Sequence, residues 1–105
     1  MVSQDNIEKA VSTLVNEAHP LRVILFGSYA RGEAKEESDV DFLVIYHELH
    51  QPRQEMTRLR RLLSPLKIPV DLLVVSEEHY DKWSEAPSTT LYWAKREGKV
   101  MYDAA

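Results

Sequence analysis

Two aspartates separated by one residue, in Ser38-Asp39-Val40-Asp41, and a third inside the apolar run IPVDLLVV, at Asp71, are the side chains here best suited to chemistry. In extended backbone, successive side chains point to opposite faces. Asp39 and Asp41 therefore look the same way, about 7 Å apart along the chain, while Val40 and Phe42 take the other face. Carboxylates held that close repel by a few kcal/mol even at an effective dielectric of about 20, a cost that a divalent cation or a proton offsets. A lone carboxylate buried in an apolar strand costs several kcal/mol, so Asp71 also needs a partner. If the strand carrying Asp71 lies beside the one entered through Asp39-Val40-Asp41, the three acids surround a space for two Mg²⁺ ions about 3.5–4 Å apart. That arrangement clamps the attacking and leaving oxygens of an in-line phosphoryl or nucleotidyl transfer. Upstream, Gly27-Ser28 lets the backbone approach a ligand closely and offers a hydroxyl and helix-start amides to a phosphate. Each signal has a bland counterpart: most Gly-Ser pairs only turn the chain, and a DxD at a strand start is also compatible with a turn and cap.

Alternating helices and strands must position these groups. Ile7, Ala10, Val11, Leu14, Val15 and Ala18 recur at helical spacing, with Asp5 and Glu8 resembling a capping box. His19-Pro20 ends that helix, because the residue before proline is pushed out of the helical region. Arg22 to Phe26 reads as a strand covered on both faces, closed by Gly27-Ser28. YARGEAKEES reads as a turn or two of helix and then an exposed loop. A second strand runs from Val40 to Tyr46. Pro52 opens a helix with an inner stripe of Met56, Leu59, Leu62 and Leu63, which Ser64-Pro65 breaks. Ile68 to Val75 is the third strand. Ser76 caps a short helix with Tyr80 and Trp83 on its apolar side, another helix spans Ser88 to Glu97 with Gly98 as terminator, and Lys99 to Tyr102 adds a final strand. The expected class is α+β: a mixed sheet of three or four strands packed with helices.

The 105 residues fit one domain, 1–105. A composition 44% apolar argues against disorder, and a net charge of −4 against a chain whose main task is gripping nucleic acid by its phosphates. With no cysteine there is neither a disulfide frame nor a thiolate metal site. No apolar run approaches the roughly 20 residues of a membrane span, and the polar N-terminus is not a signal peptide. A cytoplasmic location, with no membrane contact, is the expectation. His19, His47, His50 and His79 lack metal-ligand spacing. The Arg53, Arg58, Arg60 and Arg61 face reads as solvated, and Trp83 and Tyr92-Trp93 read as packing rather than as a base-stacking platform. Tyr29 and Tyr46 are expected near the acids, with nothing to make either a catalytic acid.

Gly27-Ser28, Ala30-Arg31-Gly32 and Ser38-Asp39-Val40-Asp41, with ten residues between Ser28 and Asp39, resemble the GS-x10-DxD signature of the polymerase-β nucleotidyltransferase superfamily. The short length and the GSYARG…SDVD wording are most similar to its minimal nucleotidyltransferase (MNT) group. The resemblance implies that Asp39 and Asp41 bind both Mg²⁺ ions and that Asp71 binds the catalytic one and helps deprotonate the attacking hydroxyl. It also implies that Gly27 and Ser28 hold the nucleotide triphosphate. Arg31 either neutralises phosphate charge or pairs with a nearby acid to hold the loop. MNT proteins of this kind act as antitoxins that bind a HEPN-domain toxin and transfer AMP from ATP to a tyrosine of it. The implied function is therefore protein adenylylation of such a partner. Two rivals are transfer to a small-molecule hydroxyl and a non-catalytic module that neutralises its partner by contact alone.

Overall fold

A computed structural model describes residues 1–104 of the chain. Five helices and four strands follow in the order α1 (Gln4–Ala18), β1 (Arg22–Phe26), α2 (Ser28–Arg31), β2 (Val40–Tyr46), α3 (Pro52–Leu63), β3 (Val70–Ser76), α4 (Glu77–Trp83), α5 (Thr90–Glu97) and β4 (Lys99–Asp103), with a 3₁₀ turn at Ser64–Leu66 after α3. The strands form one mixed sheet in the order β3-β2-β1-β4. β1 runs antiparallel to both β2 and β4, and β2 runs parallel to β3 through the α3 crossover. The expected α+β class and four-strand limit are what the fold shows.

Helices cover both faces of the sheet, which is why β1 and β2 are nearly continuous apolar runs. On one face Val23, Leu25, Val40, Phe42, Val44, Leu72 and Val74 pack with Ile7, Ala10, Val11 and Leu14 of α1 and with Leu59 and Leu63 of α3. On the other, Ile24, Leu43, Ile45 and Val75 pack with Tyr80 of α4 and with Leu91 and Ala94 of α5. Asp41 and Asp71 have the parity of this second face.

Several local details depart from the sequence reading. Ser3, not Asp5, caps α1: its hydroxyl accepts from the Asn6 amide, and Asp5 lies inside the first turn, where its charge favours the helix dipole. His19 ends α1 in the left-handed region, φ 48°. α5 starts two residues later than expected, with Thr89 as its cap. β3 starts at Val70 rather than Ile68, because Pro69 has no N–H to give a ladder. The Pro69 carbonyl instead accepts from the Val40 amide at 2.8 Å, joining the entries of β2 and β3. Trp83 is 41% exposed rather than buried. Tyr46 ends β2, five residues beyond Asp41, which is about 17 Å along the strand, and it belongs to the opposite face. Its hydroxyl donates to Glu55, and Glu55 accepts two hydrogen bonds of 2.8 Å from Arg58. The Tyr29 hydroxyl accepts from the Val2 amide at 2.9 Å. Both tyrosines tie elements together, and Tyr46 is remote from the acids.

Gly98 ends α5 with ordinary backbone angles, so left-handed freedom is not its purpose. A Cβ there falls 2.2 Å from the Ala94 carbonyl oxygen and 2.6 Å from Ile24 Cγ2. Gly98→Ala is expected to destabilise the fold by about 1–3 kcal/mol through overpacking, read as a lower urea midpoint at unchanged slope.

Candidate active site

Register decides the site. In the parallel β2/β3 ladder Asp41 is the Cα partner of Asp71, and in the antiparallel β1/β2 ladder it is the partner of Phe26. Parallel partners share a face, so Asp41 and Asp71 stand side by side near the start of the two strands. Asp71 is exposed and Asp41 half-buried. Asp39 precedes β2, is exposed, and lies close enough to act electrostatically on Asp41. Burial, then the charge of Asp71, then that of Asp39 push the Asp41 carboxyl up to about 6, against a small opposing pull from Arg31. Both neighbouring acids thus act on the Asp41 carboxylate, while Asp71, expected inside a buried apolar strand, stands at the surface.

The turn after β1 comes within contact of that carboxylate. Gly27 has φ 73° and ψ −155°, a combination essentially confined to glycine. A Cβ at Gly27 would lie 2.0 Å from Asp41 Oδ2. Gly27 thus provides the clearance that seats Asp41 beneath the bend. Ser28 opens α2, whose first amides have no partner within the helix by geometry. At the end of α2, Arg31 donates through Nε to Glu33 at 2.8 Å and approaches Glu97 of α5 at 3.8 Å. In this structure, then, Arg31 pairs with acids and holds the loop against α5.

Among the described residues, no three His, Cys, Asp or Glu side chains close to metal-ligand spacing. Asp39, Asp41 and Asp71 are gathered at one corner of the sheet without converging on a point. Their chemistry nonetheless fits Mg²⁺: hard carboxylate oxygens, and repulsion at Asp41 that no cation within the chain fully offsets.

A cleft of about 470 Å³ opens beside the bend, lined by Phe26, Gly27, Arg31, Thr90, Trp93 and Glu97. The sequence reading assigned no role to Phe26, Thr90 or Glu97 and treated Trp93 as packing. The available signal was helical spacing: with Leu91 and Ala94 buried, positions 90, 93 and 97 fall on an adjoining face. A larger hollow, about 860 Å³, runs along α3 and includes Leu49, Arg53, Arg58 and Leu62. α3 packs on the other face of the sheet, so that hollow is separate from the acids.

Comparison with known proteins identifies the family and supports the fold. Residues 5–100 match the nucleotidyltransferase domain family. A Methanocaldococcus jannaschii protein, provisionally named a protein adenylyltransferase, is 39% identical over 64% of this chain and 66% of its own length. A second from the same organism, named likewise, is 32% identical over 92% of this chain and 99% of its own. The protein adenylyltransferase MntA of Thermococcus cleftensis is 44% identical over 50% of this chain and 52% of its own. The chain thus spans just under two thirds of the first relative and about half of the third. Two solved structures share the fold. A Sulfolobus solfataricus nucleotidyltransferase superposes with TM-score 0.62 at 18% identity, over 95% of this chain and 79% of that one. A toxin–antitoxin structure with AMP-PNP superposes with TM-score 0.65 at 22% identity, over 91% and 73%. With its mixed sheet, its acids in register and a family match running nearly from end to end, this chain belongs to the nucleotidyltransferase domain family.

Proposed function

We propose that the chain is an Mg²⁺-dependent protein adenylyltransferase that transfers AMP from ATP to a tyrosine hydroxyl of a HEPN-domain toxin, acting as its antitoxin. The observation that carries the reading is the pairing of Asp41 with Asp71 beneath the Gly27 bend. The names of the relatives and the toxin–antitoxin neighbour with AMP-PNP support the choice of nucleotide and partner. Asp39 and Asp41 would hold two Mg²⁺ ions, and Asp71 would share the catalytic one. Bound there, Mg²⁺ supplies charge stabilisation to the phosphoryl oxygens. Gly27 and Ser28 present amides and a hydroxyl to the triphosphate, and Arg31 exchanges its acid partners for phosphate. Asp71 accepts the proton of the tyrosine hydroxyl. The tyrosine oxygen bonds to the α-phosphorus, the bond from that phosphorus to the bridging oxygen breaks, and pyrophosphate leaves on the opposite side.

The test combines the purified protein, labelled ATP, Mg²⁺ and its HEPN-domain partner. Label on a partner tyrosine that disappears in Asp39→Asn and Asp41→Asn is the expected result. Partner neutralisation that survives both substitutions, with no label transferred, would establish a contact-only module instead. A label found only on added small-molecule alcohols would establish the other rival. A separate readout needs no partner. By linkage, Mg²⁺ at ten times its Kd stabilises the fold by about 1.4 kcal/mol, a rise of about 5–10 °C in melting temperature for a domain of this size. Asp41→Asn should abolish most of that rise; a wild-type melting curve indifferent to Mg²⁺ argues against the metal site.

A further inference from the structure

We infer that the cleft between α5 and the β1–α2 bend is the nucleobase subsite of the bound nucleotide, with Trp93 as its stacking wall, an inference that rests on the transferase reading above. Trp93 is 52% exposed, an unusual state for an indole that α5 could have turned inward. Its ring is held by Tyr92, edge to face at 5.2 Å between centroids, and Tyr92 in turn carries the Arg96 guanidinium 5.0 Å above its ring. The indole is therefore exposed and braced, as a stacking platform requires. Thr90, Trp93 and Glu97 line the cleft from α5, and Phe26, Gly27 and Arg31 line it from the bend. Two aromatic rings with one hydroxyl and one carboxylate suit a flat, neutral heterocycle carrying hydrogen-bond donors. The volume, about 470 Å³, lies within the range of about 300–1,000 Å³ for small-molecule sites.

Position favours the base over the acceptor. Gly27 lines the cleft and also touches the seat of Asp41, so the cleft is continuous with the place where the α-phosphate must lie. Asp71, the proposed proton acceptor, stands across Asp41 on β3, whereas the cleft opens on the β1 side. An acceptor hydroxyl entering by the cleft would come from the side of the Gly27-Ser28 bend, where the pyrophosphate departs, and in-line displacement requires opposite sides.

The experiment measures binding of ATP and of inorganic tripolyphosphate, each with Mg²⁺, to wild type, Trp93→Ala and Trp93→Phe, with melting curves for all three. Loss of one base–aromatic stack is expected to weaken ATP about 5- to 100-fold in Trp93→Ala. Tripolyphosphate affinity and melting temperature should stay unchanged, and Trp93→Phe should recover most of the ATP affinity. Unchanged ATP binding in Trp93→Ala overturns the subsite alone. Equal weakening of ATP and tripolyphosphate overturns it as well, since the damage would then lie at the phosphate site. Unchanged ATP binding with lost partner labelling reassigns the cleft to partner docking. Wild type that binds neither compound overturns the transferase reading, and the subsite with it.

Discussion

Asp41→Asn is expected to lower AMP transfer by at least about a thousandfold while making the metal-free protein more stable. The two effects come from one charge. For transfer, Asp41 is the acid seated between its two neighbours, and loss of its negative oxygen removes several kcal/mol of cation binding and positioning, which at 1.36 kcal/mol per tenfold is about three orders of magnitude. For stability, the folded-state carboxyl sits at about 6 against 3.8 for an ordinary aspartate. Between about pH 4 and pH 6 the folded chain holds a proton that the unfolded chain has released, so stability falls as pH rises through that window. Above it both states are ionised and the whole penalty is present. The full shift corresponds to about 3 kcal/mol, which solvent screening at this open corner reduces to about 1 kcal/mol. Urea unfolding in chelator at pH 4 and pH 7 measures it as a difference: the carboxyls of Glu36, Glu55 and Glu85, held low by their partners, add stability with rising pH in both proteins, so the advantage of Asp41→Asn over wild type should grow from pH 4 to pH 7. A variant no more stable than wild type at pH 7 would show that the acids do not strain the fold.

Gly27→Ala is expected to cost transfer on the order of a hundredfold and stability about 1–3 kcal/mol. The stability term comes from forcing a side chain into φ 73°, ψ −155°. The activity term comes from the added Cβ, 2.0 Å from Asp41 Oδ2 and 3.1 Å from its Cγ. The carboxylate can relieve that overlap only by leaving its seat, and misplacing a reacting group by about 1 Å costs about 10² in rate. Gly32 is the internal control. It has the same φ of 73°, yet an added Cβ meets nothing within 4 Å. Gly32→Ala should therefore lose about 1–2 kcal/mol and keep its transfer rate. If both variants label the partner as well as wild type does, the bend does not position Asp41.

Much of this was legible in the chain itself. Helical spacing located α1 and α3, and continuous apolar runs located β1, β2 and β3, because burial on one or two faces acts directly on residue type. β2 fell on Val40 to Tyr46 because an apolar run between a polar entry and a polar exit has a single way to be buried. Asp39 lies just outside β2, so the strand alternation that sets the face of Asp41 does not extend to it. Errors occurred where neighbouring residues compete on nearly equal terms. Ser3 and Asp5 are both good caps, and the cap at Ser3 lengthens α1 by two residues and leaves Asp5 in its first turn. Tyr46, expected near the acids, stands instead at the far end of β2 on the opposite face.

What the chain alone determined is the kind of site: three carboxylates, a glycine bend and a serine, each specified by residue type and short-range spacing. What only the tertiary structure decided is which of these groups meet and what stands beside them. Asp41 and Asp71 are thirty residues apart, and their pairing depends on β3 docking parallel to β2 in one register, set at its entry by the Pro69 carbonyl and the Val40 amide. A slip of one residue would turn Asp71 to the opposite face. Trp93 likewise reads as core by composition. It faces the bend only because Leu91 and Ala94 take the buried side of α5, a choice made by the sheet surface beneath that helix.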